Sequence, residues 1–266
     1  MTCRICAGHV EAVFRHRLLG KYDVQYFQCG DCGFLQTETP YWLDEAYSSA
    51  ITTADTGILQ RNHYLSNVGA LILWRLFSGR GKFLDAAGGY GIYTRLMRDF
   101  GFDYYWCDPH AQNLVARGFE GEPTAGPYVA VSAFEVLEHL VDPLDFISSL
   151  LRQTQAKAFI ATTELFSGAV PAPESWWYYA FPTGQHISFY RRSTLDVISR
   201  KLGLKLYSNR NFHLWTNEPM SRFEFNLFTH GRVAALLSWM PRLALESKMW
   251  PDHDRLMKPE QNKRAG

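Results

Sequence analysis

The chain has 266 residues, enough for one compact domain with an appendage or for two small ones. Hydrophobic residues make up 47% and aromatics 15%, so a substantial core is available, and a net charge of +1 disfavours a polyanion as general partner. The start, Met1-Thr2-Cys3-Arg4, lacks the apolar run of a signal peptide, residues 68–77 carry Arg75 and are too short to span a bilayer, and Arg232, Pro241 and Arg242 interrupt residues 224–245; the expectation is a soluble, cytoplasmic protein.

Four of the five cysteines form two pairs, Cys3-Arg4-Ile5-Cys6 and Cys29-Gly30-Asp31-Cys32, with 22 residues between them. In a reducing compartment such pairs suggest a metal rather than disulfides. Each pair can sit on a tight knuckle, relaxed by Gly8, Gly30 and Gly33, and together they supply four sulfur ligands for a closed tetrahedral zinc site. Val24-Gln25-Tyr26-Phe27-Gln28 alternates like a strand entering the second knuckle. This is a zinc-ribbon pattern over residues 1–40. Four thiolates leave no open position, so the zinc reads as structural, and a module this short needs such a staple. Arg15, His16, Arg17 and Lys21 offer a nucleic-acid reading, diluted by neighbouring acids.

Residues 41–80 read as a helical lead-in. Lys82-Phe83-Leu84-Asp85-Ala86-Ala87 reads as a buried strand, Gly88-Gly89-Tyr90-Gly91 as a tight loop, and residues 92–100 as a helix with Ile92, Leu96 and Phe100 at spacing four. A second strand, Tyr104-Tyr105-Trp106-Cys107, ends at Asp108, 17 to 20 residues beyond the glycines. Glycines let the backbone approach a ligand, and an acid at that distance accepts hydrogen bonds from ribose hydroxyls. Downstream, residues 128–133 read as a strand, 144–151 as a helix, 158–162 as a strand, and Ser193-Thr194-Leu195 as a capped helix start, with Gly203 as its C-cap and a strand over 204–207.

The run Asp85-x-Ala87-x-Gly89-x-Gly91 resembles the first motif of class I S-adenosylmethionine-dependent methyltransferases, with alanine in place of the first glycine. Phe134-Glu135-Val136-Leu137-Glu138-His139, followed by Pro143, resembles the E-V-x-E-H signature of many small-molecule members, and the block from His186 to Leu195 resembles a later one. The resemblance covers roughly residues 80–215. It implies an α/β, Rossmann-like seven-stranded sheet with a reversed last strand and helices on both faces, in a core over 81–218. It also implies S-adenosylmethionine as cofactor, held around Asp85, Ala87, Gly88, Gly89, Gly91, Asp108, Pro109, Phe134 and Glu135. Tyr41-Trp42-Leu43 to Tyr47, and Asp55-Thr56-Gly57 to Arg61-Asn62, resemble a lead-in of bacterial methyltransferases from glycan-type gene clusters.

Methyl transfer from a sulfonium needs an in-line approach and removal of the acceptor proton. If 134–139 is helical, Glu135, Glu138 and His139 share one face, and His186 could join them around one divalent ion. The pattern resembles the metal site of small-RNA 3′-end 2′-O-methyltransferases, and a related one occurs in ubiquinone-pathway O-methyltransferases. Such an ion would lower the pKa of a substrate hydroxyl. Equally, His139 or His186 could act as base, or these residues could only pack, since the signature also occurs in enzymes without a metal.

Trp176-Trp177-Tyr178-Tyr179, between Pro171 and Pro182, suggest a substrate lid or a hydrophobic plug over the sheet edge. Glu164 is a candidate polar lining residue, and Cys107 reads as packing. Residues 219–266 read as a helical extension that covers the core, makes a dimer or touches a membrane surface, with 258–266 as a frayed tail. The expected acceptor is a sugar, glycan or other small hydroxylated molecule, methylated on oxygen. Sugar C-methyltransferases also carry an N-terminal zinc module. An RNA acceptor would need a basic track through Arg4, Arg15, Arg17, Lys21 and Arg61, which the total charge disfavours. A non-enzymatic subunit would show a broken glycine loop or a lost Asp108, and loop and acid are both intact apart from Ala87.

Overall fold

A computed structural model describes residues 1–47 and 55–264, with side chains to Lys258. In chain order the elements are β1 (Val10–Leu18), β2 (Tyr22–Cys29), β3 (Leu35–Thr37), α1 (Leu43–Ala46), α2 (Ile58–Phe77), β4 (Lys82–Ala86), α3 (Ile92–Asp99), β5 (Asp103–Cys107), β6 (Ala130–Ala133), α4 (Pro143–Thr154), β7 (Ala158–Thr162), β8 (Ser188–Phe189), α5 (Arg192–Leu202), β9 (Lys205–Ser208), β10 (Phe212–Thr216), α6 (Arg222–Thr229), α7 (Gly231–Leu237), α8 (Trp239–Ala244) and α9 (Met249–Arg264). Of the expected lead-in, residues 48–54 lie outside the described residues.

Two sheets result, one ordered β1-β2-β3-β8 and one ordered β5-β4-β6-β7-β10-β9. The larger sheet is mixed: β4 pairs in parallel with β5 and β6, and β10 runs antiparallel to β7 and β9. The reversed strand is therefore present, but the described residues give six strands where seven were expected. The missing edge strand shrinks to one parallel bridge, Trp106 to Glu120. Residues 109–128 carry Pro109, Pro123, Pro127, Gly118, Gly121 and Gly126, which break any run long enough to pair.

The chain divides into two compact units. One comprises residues 1–50, 133–152 and 158–217. Its hairpin turns at Leu19 and Gly20, both at positive φ, as a tight hairpin turn of matching twist requires. The four-stranded antiparallel sheet is completed by β8, so the N-terminal strands share a core with distant residues: Leu18, Val24, Tyr26, Leu35 and Trp42 pack with Tyr178, Tyr179, Ile187 and Phe189. The other unit comprises residues 51–132, 153–157 and 218–266. Here Phe83, Phe102 and Tyr104 fill the core, and Arg98 forks onto Asp252 of α9 with two 2.7 Å hydrogen bonds. That buried pair anchors the first turn of α9, whose helical backbone extends to Arg264; residues 265 and 266 of the expected tail lie outside the described residues.

Candidate active site

The glycine loop belongs to the second unit. Ala86 is in register with Cys107, so the loop after β4 and Asp108 after β5 leave the sheet side by side. The amides of Ala87 and Gly88 donate to the Cys107 carbonyl at 2.7 and 3.2 Å. Ala87, Gly89 and Gly91 all take positive φ, at 105°, 52° and 83°. Glycine accepts such angles freely, whereas Ala87 is strained there. A Cβ on Gly88 would collide with the Trp106 indole, whose Nε1 donates to the Gly89 carbonyl at 2.9 Å.

Asp108 Oδ2 accepts from the Gly89 amide at 2.9 Å, and Oδ1 accepts from the amides of His110 and Ala111 at 2.8 and 3.1 Å. A carboxylate has about four acceptor sites, so Oδ2 keeps a lone pair for a hydroxyl donor. The chemistry of these groups fits a ribose-bearing ligand. Pro109 is exposed at the bend beyond. Asp85 lies differently. It is buried, accepting from Ser132 Oγ at 3.0 Å and Thr94 Oγ1 at 3.1 Å, and burial lifts its pKa to about 7. It braces β6 and α3 onto β4.

The second constellation lies in the first unit. The expected helix over 134–139 does not form. Glu135 takes φ 54°, and only a single 3-10 turn follows over Leu137–His139. The amide of Glu135 donates to Thr162 Oγ1, and its Oε1 accepts the Thr162 hydroxyl at 2.7 Å. Glu138, His139 and His186 are brought together instead, with ligand atoms within 4.8 Å of one another. The two imidazoles meet edge to face at 4.7 Å. His139 Nδ1 faces the Gln185 carbonyl at 3.2 Å and His186 Nδ1 faces the Tyr178 carbonyl at 2.6 Å. A carbonyl can only accept, so Nδ1 carries the proton in each ring and Nε2 presents a lone pair. Burial lowers His139 to about 3 and His186 to about 4, keeping both neutral. Glu138 is fully buried, which raises its pKa to about 8, with the Glu135 charge adding to the rise. Its Oε2 has no hydrogen-bond partner. Phe134 packs on Phe212.

Sequence reasoning missed the residues that hold this cluster. The amide of Ile187 donates to the Glu138 carbonyl at 2.8 Å, and the Tyr190 hydroxyl donates to the Leu137 carbonyl at 2.6 Å. Tyr178 pairs with the Thr163 hydroxyl. Of the aromatic run, Tyr178 and Tyr179 are buried plug residues and Trp176 is half-buried against Phe166 and Phe189; Trp177 is the exposed member. Glu164 is tied to Arg210 at 2.6 Å.

The four paired cysteines converge in the first unit as well. Cys3 and Cys32 sulfurs lie 3.5 Å apart, and those of Cys6 and Cys29 lie 3.4 Å apart, so no disulfide forms. Thiolates about 2.3 Å from a tetrahedral ion stand roughly 3.8 Å apart, so the cluster fits zinc. The Cys32 carbonyl accepts from Ser193 and Thr194 hydroxyls at 2.8 and 2.9 Å. Ser193, expected as a helix cap, thus grips the knuckle, while Thr194 Oγ1 also accepts from the amide of Arg191, the N-cap. Of the candidate basic track, Arg4 donates to the carbonyls of Thr37 and Glu38, and Arg15, Lys21 and Arg61 pair with Asp23, Glu45 and Asp55.

The comparison with curated proteins gave no match. Among solved structures, the chain is similar to magnesium protoporphyrin IX methyltransferase from Synechocystis PCC 6803, at 15% identity and a TM-score of 0.39, covering 65% of this chain and 90% of that one. It is similar to the PH0226 protein from Pyrococcus horikoshii OT3, at 16% identity and 0.44, covering 63% and 93%. It is also similar to human N-acetylserotonin methyltransferase, at 13% identity and 0.43, covering 60% and 56%. The assignment rests on the sequence: residues 60–209, more than half the chain, match the family described as a methyltransferase domain. The chain belongs to that family and is an S-adenosylmethionine-dependent methyltransferase.

Proposed function

We propose that the protein methylates a hydroxyl of a small polyhydroxylated acceptor, a sugar or saccharide, and that Glu138, His139 and His186 receive the acceptor around a divalent ion. The observation that carries this reading is the convergence of the buried Glu138 carboxylate with His139 and His186, their ligand atoms within 4.8 Å of one another and Glu138 Oε2 without a hydrogen-bond partner of normal geometry. Leaving a buried carboxylate oxygen without a donor costs about 1–3 kcal/mol or more, a cost that a cation or an acceptor hydroxyl would repay. One oxygen and two imidazole nitrogens suit magnesium, manganese or zinc. Such an ion polarises a bound hydroxyl and lowers its pKa. The glycine loop and Asp108 hold the methyl donor. The exposed Trp177 stacks on the acceptor ring, and Cys3, Cys6, Cys29 and Cys32 hold a structural zinc.

Calorimetry with S-adenosylhomocysteine tests the donor half. One site is expected, weakened about tenfold or more in Asp108→Ala, since a hydrogen bond to a charged group contributes about 1.5–3 kcal/mol. A wild-type protein that does not bind would overturn it. Turnover on a saccharide panel, read as a methyl mass gain, tests the acceptor half. Glu138→Gln should lower kcat about 100-fold with S-adenosylhomocysteine affinity within twofold of wild type. Turnover indifferent to both chelator and this substitution would remove the ion from the proposal.

A further inference from the structure

The C-terminal helices of the second unit carry a feature that methyl transfer does not use. Helices α6, α7 and α8 all pack on α2, and the Tyr64 hydroxyl of α2 donates to the Thr229 carbonyl at the end of α6 at 2.9 Å. Each helix therefore has one side turned toward α2 and another turned away. On the solvent side, α6 exposes Arg222 and Phe223, α7 exposes Arg232 and Leu236, and α8 exposes Trp239 and Leu243, while the guanidinium of Arg242 lies over the Phe100 ring at 3.8 Å. The spacings 232 to 236 and 239 to 243 are single helical turns, so Arg232 shares a face with Leu236 and Trp239 shares one with Leu243. The apolar members are strongly exposed, at 74% for Phe223, 71% for Leu236, 53% for Trp239 and 79% for Leu243. Clustered exposure of this kind marks an interaction surface.

Charge selects the occupant. Residues 221–245 contain one acid, Glu224, and it is engaged by Arg75 at 2.7 Å. The face is thus basic and apolar together. A second copy docked face to face would set these arginines against their own images, which is unfavourable. An anionic lipid surface complements both features: headgroup phosphates take Arg222 and Arg232, while tryptophan, phenylalanine and leucine enter the headgroup–acyl boundary. No helix among the described residues is long and apolar enough to cross a membrane, so the contact would lie on the surface. We propose that α6, α7 and α8 dock this protein on a membrane surface rich in anionic lipid. The proposal is independent of the acceptor.

Vesicle flotation of the full chain tests it, with vesicles of seven parts phosphatidylcholine to three of phosphatidylglycerol, and of phosphatidylcholine alone. The expected result is flotation with the anionic vesicles, weakened by about 0.5 M salt, and at least tenfold less with phosphatidylcholine. Leu236→Ser/Leu243→Ser should lower anionic-vesicle affinity roughly tenfold or more. Arg222→Gln/Arg232→Gln should lower it about fivefold per arginine. Melting followed by circular dichroism confirms that both variants fold. Failure to float, or equal binding to both vesicle types, overturns the proposal. So does a wild-type dimer in sedimentation velocity that the leucine variant dissolves, because the face is then covered by a second copy.

Discussion

The glycine loop after β4 and the acid–imidazole loop after β6 both leave buried strands, yet they satisfy their polar groups in opposite ways. The first closes on its own neighbourhood: Ala87 and Gly88 donate to Cys107, and Gly89 donates to Asp108. The second is held from afar, by Gln185, Ile187 and Tyr190, about 46 to 53 residues along the chain, and still leaves Glu138 Oε2 without a partner of normal geometry. On the proposed reading, the donor would be cradled by backbone in one short segment, whereas the acceptor would meet side chains that distant parts of the chain bring in, so that its site borrows stability from them.

The strongest way to break this contrast is through the cysteines. The path from the knuckle to the cluster is short. Ser193 and Thr194 hold the Cys32 carbonyl, and Tyr190, three residues before Ser193, holds Leu137. Cys29→Ser/Cys32→Ser should lose about one zinc per chain and, because structural zinc contributes about 10 kcal/mol or more in small modules, should melt far below wild type. The contrast makes a sharper claim. Methyl transfer should vanish while S-adenosylhomocysteine binding, read by calorimetry at low temperature, persists. Equal loss of both would show that the glycine loop borrows its stability too.

Asp85 gives a smaller effect with a definite sign. Its pKa in the folded chain is about 7, raised by burial from an ordinary carboxylate value. Between about pH 4 and 7 the folded chain keeps a proton that the unfolded chain has released, so stability from this group is full at low pH and falls as pH rises through that window, by up to about 1.4 kcal/mol per unit. Asp85→Asn removes this slope. The melting temperature of the variant relative to wild type should therefore climb from near pH 4.5 to near pH 7.5. A constant difference would mean that Asp85 is ionised throughout, and that it faces the cofactor more than the core.

These loops also show what the sequence could and could not tell. The strand–glycine–helix–strand–acid order was legible because each step is local, and β4, α3 and β5 stand within a residue or so of where periodicity put them. The cysteine cluster was legible because spacing alone restricts four thiols. The backbone at Glu135 was not. A helical pattern through 134–139 puts Glu135 with Glu138 and His139, but the Thr162 hydroxyl on a neighbouring strand captures its amide and carboxylate and turns it aside. Tyr178 and Tyr179 look like a lid in one dimension because nothing local reveals that β8 completes the N-terminal sheet and needs their rings as its core. Missing signals of this kind are tertiary by nature.

The smallest effect concerns the residue where this glycine loop departs from its motif. Ala87 holds φ 105°, outside the small left-handed basin that alanine tolerates, while its amide is fixed by the Cys107 carbonyl at 2.7 Å. Backbone strain of that kind costs about 1–3 kcal/mol. Glycine would release it and lose about 0.5–1 kcal/mol through the greater entropy of the unfolded chain. Ala87→Gly should thus stabilise the protein by about 1 kcal/mol, raising the melting temperature by a few degrees at most. Donor affinity should hardly change, because the amides that shape the loop keep their partners. A lower melting temperature would mean that the methyl group packs against something worth more than the strain. The alanine would then be a stabilising choice in a loop that otherwise depends on having no side chains at all.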